Sequence, residues 1–178
     1  SWGLSKIINT PLNTKTDSPI YLLSNSILLF NVSMKDMEKT AIEQLKDDEP
    51  VWFGCDVLQE WAPQAGVLTE KVFDWDRSFG IKLGTDKTKR FEYRESLPTH
   101  AMLISGVDMR DDEPVRWKIQ NSWGSKVGHK GYFIMGNDWM EQYTYETVVN
   151  KKYLTKKQLA DYQKEPVMLP YWNAMNPI

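Results

Sequence analysis

Few side chains in this 178-residue chain have the chemistry of a thiol–imidazole pair: two histidines, His100 and His129, and one cysteine, Cys55. A thiol with a reference pKa of about 8.5 is mostly protonated at neutral pH, so it attacks only where a neighbouring group holds it as thiolate. An imidazole does this best when its own rotation is fixed by a third group. A search for one cysteine with a distant histidine and an amide therefore assembles Cys55, His100 and Asn121 into a candidate triad. Against it, Cys55 lies inside the apolar run Val51-Trp52-Phe53-Gly54-Cys55, where burial raises a thiol pKa. That run predicts a structural thiol, buried and well separated from His100. His129, in a glycine-rich loop, reads as a surface or core residue rather than a base.

The elements that must position these residues follow from hydrophobic period and turn chemistry. His100–Val107 reads as a strand, Asp108–Pro114 as a polar turn, and Val115–Asn121 alternates Val115, Trp117 and Ile119 against Arg116, Lys118 and Gln120. The two form an antiparallel hairpin, with His100 beginning the first strand and Asn121 ending the second. Tyr132–Met135 is a further strand after the Gly124–Gly131 loop, Asp138–Gln142 a helical turn, and Thr144–Val149 another β-prone run. Upstream, Ser33 caps an amphipathic helix whose apolar face carries Met34, Met37, Ala41, Ile42 and Leu45, and Asp47–Pro50 ends it before the Val51–Cys55 strand. Residues 1–30 read as loop and short strand, residues 58–95 as an irregular excursion with one short helix near Lys71–Phe79, and Thr155 caps a last helix reaching about Tyr162. No repeat, low-complexity tract or linker divides the chain, so residues 1–178 are read as a single domain, with 165–178 a C-terminal arm.

Three segments taken in order, Thr99-His100-Ala101-Met102, Asn121-Ser122-Trp123-Gly124 and Gly131-Tyr132-Phe133, resemble their counterparts in papain-like cysteine peptidases. The resemblance narrows to the bleomycin hydrolase and aminopeptidase C branch through Glu49-Pro50-Val51-Trp52-Phe53-Gly54-Cys55-Asp56-Val57, Glu95-Ser96-Leu97-Pro98-Thr99-His100, Gly128-His129-Lys130-Gly131-Tyr132 and Glu165-Pro166-Val167-Met168-Leu169-Pro170. It implies an α+β fold, the C-terminal, β-rich half of a papain-like peptidase, with a twisted antiparallel sheet and peripheral helices. It also implies that His100 is the base, that Asn121 orients it and that Trp123 shields the pair from water. In that family the nucleophile precedes the histidine by about 130–150 residues and opens a helix, whereas Cys55 is 45 residues upstream of His100. The family's Gln-then-Cys-Trp nucleophile motif occurs nowhere in the chain. The expected whole is therefore a cysteine aminopeptidase whose nucleophile lies in a missing N-terminal part, and the isolated chain is expected to be inactive.

The resemblance further implies a homohexamer acting on peptides, with its C-terminal arm in the cleft and the arm's terminal carboxylate pairing with a substrate's α-ammonium, and a cytoplasmic setting is expected from the cysteine usage. Ile178 would supply that carboxylate. The tail departs from the family pattern after Trp172, so endopeptidase action is the alternative, and a non-enzymatic assembly module derived from the peptidase is a second. Composition narrows the partners. Lys plus Arg number 22 against 24 Asp plus Glu, a net charge of -2 that gives no general attraction to nucleic acid or anionic membrane. No apolar stretch approaches the roughly 20 residues of a membrane-spanning helix. A single cysteine makes no internal disulfide framework, which suits a reducing compartment. No metal or organic cofactor is implied, since no Cys/His cluster has ligand spacing.

Overall fold

A computed structural model describes residues 4–9, 19–23, 27–70, 72–82 and 84–175. The chain begins with three short strands, β1 (Leu4–Ile8), β2 (Ile20–Leu23) and β3 (Ile27–Asn31). Helix α1 (Met34–Lys46) follows, then β4 (Val51–Cys55), the two-residue strands β5 (Trp61–Ala62) and β6 (Val67–Leu68), and two short helices, α2 (Trp75–Phe79) and α3 (Lys87–Glu92). The long strands β7 (His100–Arg110) and β8 (Glu113–Gln120) come next, followed by β9 (Tyr132–Gly136), α4 (Asn137–Tyr143), β10 (Thr144–Asn150), α5 (Lys156–Asp161) and β11 (Val167–Met168). All described strands join one sheet in the order β11-β2-β3-β1-β10-β4-β7-β8-β9-β6-β5. Pairing is mostly antiparallel, with parallel contacts between β1 and β3, β2 and β11, and β6 and β9.

Alternation along the strands gives the sheet two apolar faces. Ile7, Phe53, Met102, Trp117 and Phe133 join α1 and α4 in the larger core, whereas Ile8, Leu29 and Tyr145 face a smaller cluster closed by Phe91, Leu169 and Met175. Helix α1 starts where its capping chemistry predicts: the Ser33 hydroxyl accepts from the Asp36 N–H and donates to the Asp36 carboxylate. Its buried side is broader than the apolar period, taking in Glu38, Thr40 and Gln44. Gln44 is buried because it satisfies backbone groups, accepting from Asn150 N–H at 2.9 Å and donating to Pro50 C=O at 2.9 Å.

The β7–β8 hairpin closes over Asp111 and Asp112, both at positive φ (49° and 63°), the two-residue turn whose twist matches that of the strands. The excursion over 58–95 holds more order than its sequence suggests. Beyond the expected helix, found at Trp75–Phe79, it contains the β5–β6 hairpin and α3, each short helix begun by an aspartate, Asp74 or Asp86, accepting from the backbone N–H three residues on. Among the described residues no helix is long and apolar enough to cross a membrane.

Candidate active site

His100 opens β7, and the strand start is fixed from two sides. Thr99 donates its N–H to Cys55 C=O at 3.0 Å and its hydroxyl to the buried Asp56 carboxylate at 3.3 Å. Asn121 lies just past the end of β8, where its N–H donates to Gly131 C=O at 3.0 Å. The hairpin thus brings together two residues 21 apart in sequence: His100 Nε2 lies 2.9 Å from Asn121 Oδ1. The same oxygen accepts the Ser122 N–H at 2.7 Å, which fixes the amide orientation. With Oδ1 as acceptor, Nε2 must carry the proton, so Nδ1 is the nitrogen left to exchange one with a nucleophile. The other end of the amide, Asn121 Nδ2, is buried with no hydrogen-bond partner among the described residues.

The indole of Trp123 stacks on the imidazole with ring centroids 4.5 Å apart and an interplanar angle of 29°. Trp123 in turn meets the edge of Trp61, at 5.5 Å and 72°. The expected hydrogen bond, with the indole alongside, is therefore the geometry observed. Trp61 escaped the sequence reading because it stands in the excursion without period and meets Trp123 only through tertiary pairing. The chain's heavy tryptophan content was the one available hint.

Cys55 is fully buried, as expected, and burial pushes its thiol pKa well up, with the negative charges of Asp56 and Glu146 adding to the effect. Its expected separation from His100 is corrected: Cys55 and His100 are direct partners in the β4–β7 ladder, because the end of one strand pairs with the start of the other. Opposed residues share a face, yet the imidazole turns to Asn121 and Trp123. No hydrogen bond joins it to the thiol among the described residues. His129 is exposed and makes only an isolated backbone bridge to Tyr132. Ile178 lies outside the described residues. The described part of the arm packs Leu169 and Met175 into the smaller core, and Arg94 donates to Trp172 C=O at 2.8 Å. Among the described residues no three His, Cys, Asp or Glu side chains gather as a cation site.

The Peptidase C1-like family profile matches residues 20–176. Aminopeptidase C of Streptococcus thermophilus is 43% identical over 178 residues, covering 95% of this chain and 40% of the relative. Aminopeptidase C of Listeria monocytogenes is 41% identical over 149 residues, covering 84% and 34% respectively. The crystal structure of PepW from Lactobacillus rhamnosis HN001 superposes with a TM-score of 0.90 at 37% identity, covering 97% of this chain and 41% of that one. The chain thus spans about a third to two fifths of the length of the relatives it matches.

Proposed function

The chain belongs to the Peptidase C1-like family, and from that premise we propose that it supplies the catalytic histidine and asparagine of a cysteine-type aminopeptidase, the nucleophilic thiolate coming from a segment outside these 178 residues. The observation that carries the reading is the His100 Nε2–Asn121 Oδ1 hydrogen bond of 2.9 Å beneath the stacked Trp123. In the proposed mechanism His100 Nδ1 takes the proton from the thiol, leaving a thiolate–imidazolium pair, and the thiolate attacks the peptide carbonyl. The imidazolium then returns the proton to the leaving amine, and water hydrolyses the acyl-enzyme with His100 again as base. Asn121 keeps the ring in the tautomer and rotation this exchange needs. Cys55 takes no part, being fully buried with a raised pKa.

Preference for a free amino terminus is assigned to the arm: a terminal carboxylate held near the site would pair with the substrate's α-ammonium. Burial of Met175 beside Phe91 and Tyr145 supports an arm anchored to the domain. The same reading carries a homo-oligomeric enzyme acting on peptides in the cytoplasm. The test is turnover of the complete enzyme on an aminoacyl reporter. His100→Ala should lower kcat by a factor on the order of 10² to 10⁴, with Asn121→Ala leaving a larger remainder. Negligible losses at both positions would make the pair structural. Deleting Asn176–Ile178 should reduce the preference for free over N-acetylated peptides, and an unchanged preference would remove the arm from the account.

A further inference from the structure

Trp123 stacks on the His100 ring, yet it is 40% exposed and precedes a loop with Gly124, Gly128 and Gly131 at positive φ, so its position over the ring needs an external hold. That hold comes from the β5–β6 hairpin, which carries neither member of the pair. Half-buried Trp61 presents itself edge-on to Trp123 and packs its ring against Phe133, with centroids 6.3 Å apart. Phe133 is 1% exposed, so the series His100, Trp123, Trp61, Phe133 ends in the core. Backbone bonds lock the hairpin to the same loop. Pro63 C=O accepts from Gly66 N–H at 3.3 Å and from Gly128 N–H at 3.1 Å, and Gly66 C=O accepts from Ile134 N–H at 2.8 Å. The approach is close: a Cβ at Gly66 would lie 3.0 Å from His129 N and 3.1 Å from Gly128 Cα.

We propose that Trp61 is a positioning residue, held by the 61–68 hairpin, that keeps Trp123 over the His100–Asn121 hydrogen bond and so preserves the orientation of the imidazole. Without its edge the indole loses a contact of the kind worth roughly 2- to 10-fold in an equilibrium. Water then gains access to Nε2–H, and the ring spends less time aligned. The kinetic consequence rests on the catalytic reading of His100, whereas the protection of Nε2–H does not.

The experiment takes the complete enzyme and measures kcat and KM together with solvent exchange of the His100 Nε2–H proton by NMR, in wild type, Trp61→Leu, Trp61→Phe and His100→Ala, the last by kinetics alone. Trp61→Leu should speed exchange and lower kcat, each by roughly 2- to 10-fold, with KM unchanged. Trp61→Phe, which keeps a smaller ring edge, should fall between wild type and Leu, so each variant tests the idea even if the other fails to fold. Wild-type exchange in either variant would overturn the proposal, as would equal effects of Leu and Phe. Faster exchange in the Trp61 variants with turnover intact in His100→Ala would keep the brace and remove the catalytic reading. Loss of turnover in His100→Ala with unchanged exchange in the Trp61 variants would remove the brace alone.

Discussion

At the residue scale the site is built around one oxygen. Asn121 Oδ1 accepts from both the imidazole and the next backbone amide, which fixes the tautomer, while Nδ2 is buried without a partner among the described residues. An orphaned buried donor costs about 1–3 kcal/mol, so among the described residues Nδ2 detracts from stability. The buried Cys55 gives a contrasting prediction. Its thiol should resist a maleimide in native buffer and react readily once the chain is unfolded. Fast native labelling would mean that burial does not control it. His100 and Asn121 were legible in the sequence because histidines are few and the Asn-Ser-Trp-Gly run is contiguous. Trp61 and the true register of Cys55 were not, because both depend on which strand edge meets which, information carried by no local pattern.

Among the elements, β4 shows how a glycine records its neighbour. A Cβ at Gly54 would lie 2.5 Å from both Cγ and Oε1 of Glu146, whose carboxylate, mostly buried, pairs with Lys6 at 2.6 Å. Gly54→Ala must therefore shift the Glu146 side chain that holds that ion pair, and overpacking of this kind costs typically 1–3 kcal/mol. Urea denaturation should show a lowered midpoint with an unchanged slope; a wild-type midpoint would mean that the cradle relaxes freely. The same scale explains the uneven legibility of the helices. Helix α1 has 13 residues, an apolar period and a serine cap, whereas α3 has six, mostly polar, and is placed by Phe91 and by Lys87. Lys87 Nζ donates to Asn9 Oδ1 and to Thr144 C=O, contacts that link α3 to the residue after β1 and to β10 and leave no trace in local sequence.

On the scale of the whole molecule, two enclosed charges set an unusual pH dependence. Burial raises the Glu38 carboxyl to about 7, and burial, with Arg90 adding to it, lowers the Lys87 ammonium to about 7. Between the unfolded carboxyl value near 4.5 and pH 7 the folded chain holds the Glu38 proton that the unfolded chain has lost, so stability falls as pH rises. Between pH 7 and the unfolded ammonium value near 10.5 the unfolded chain holds the Lys87 proton that the folded chain has lost, so stability rises with pH. These two groups together should put a dip in stability near pH 7. In urea titrations from acid to alkaline pH, Glu38→Gln should flatten the acid limb and Lys87→Met the alkaline one; limbs unaltered by either substitution would show that other groups govern them. The sheet itself was legible as β-rich and mostly antiparallel, but its parallel contacts were not, because they join strands distant in sequence. In the proposed function the chain carries the base and its orienter while the nucleophile comes from elsewhere. The most direct measurement is hydrolysis of an aminoacyl reporter by the purified 178-residue chain, alongside its Cys55→Ala variant. The account predicts no turnover by either; hydrolysis by the chain that Cys55→Ala abolishes would contradict it.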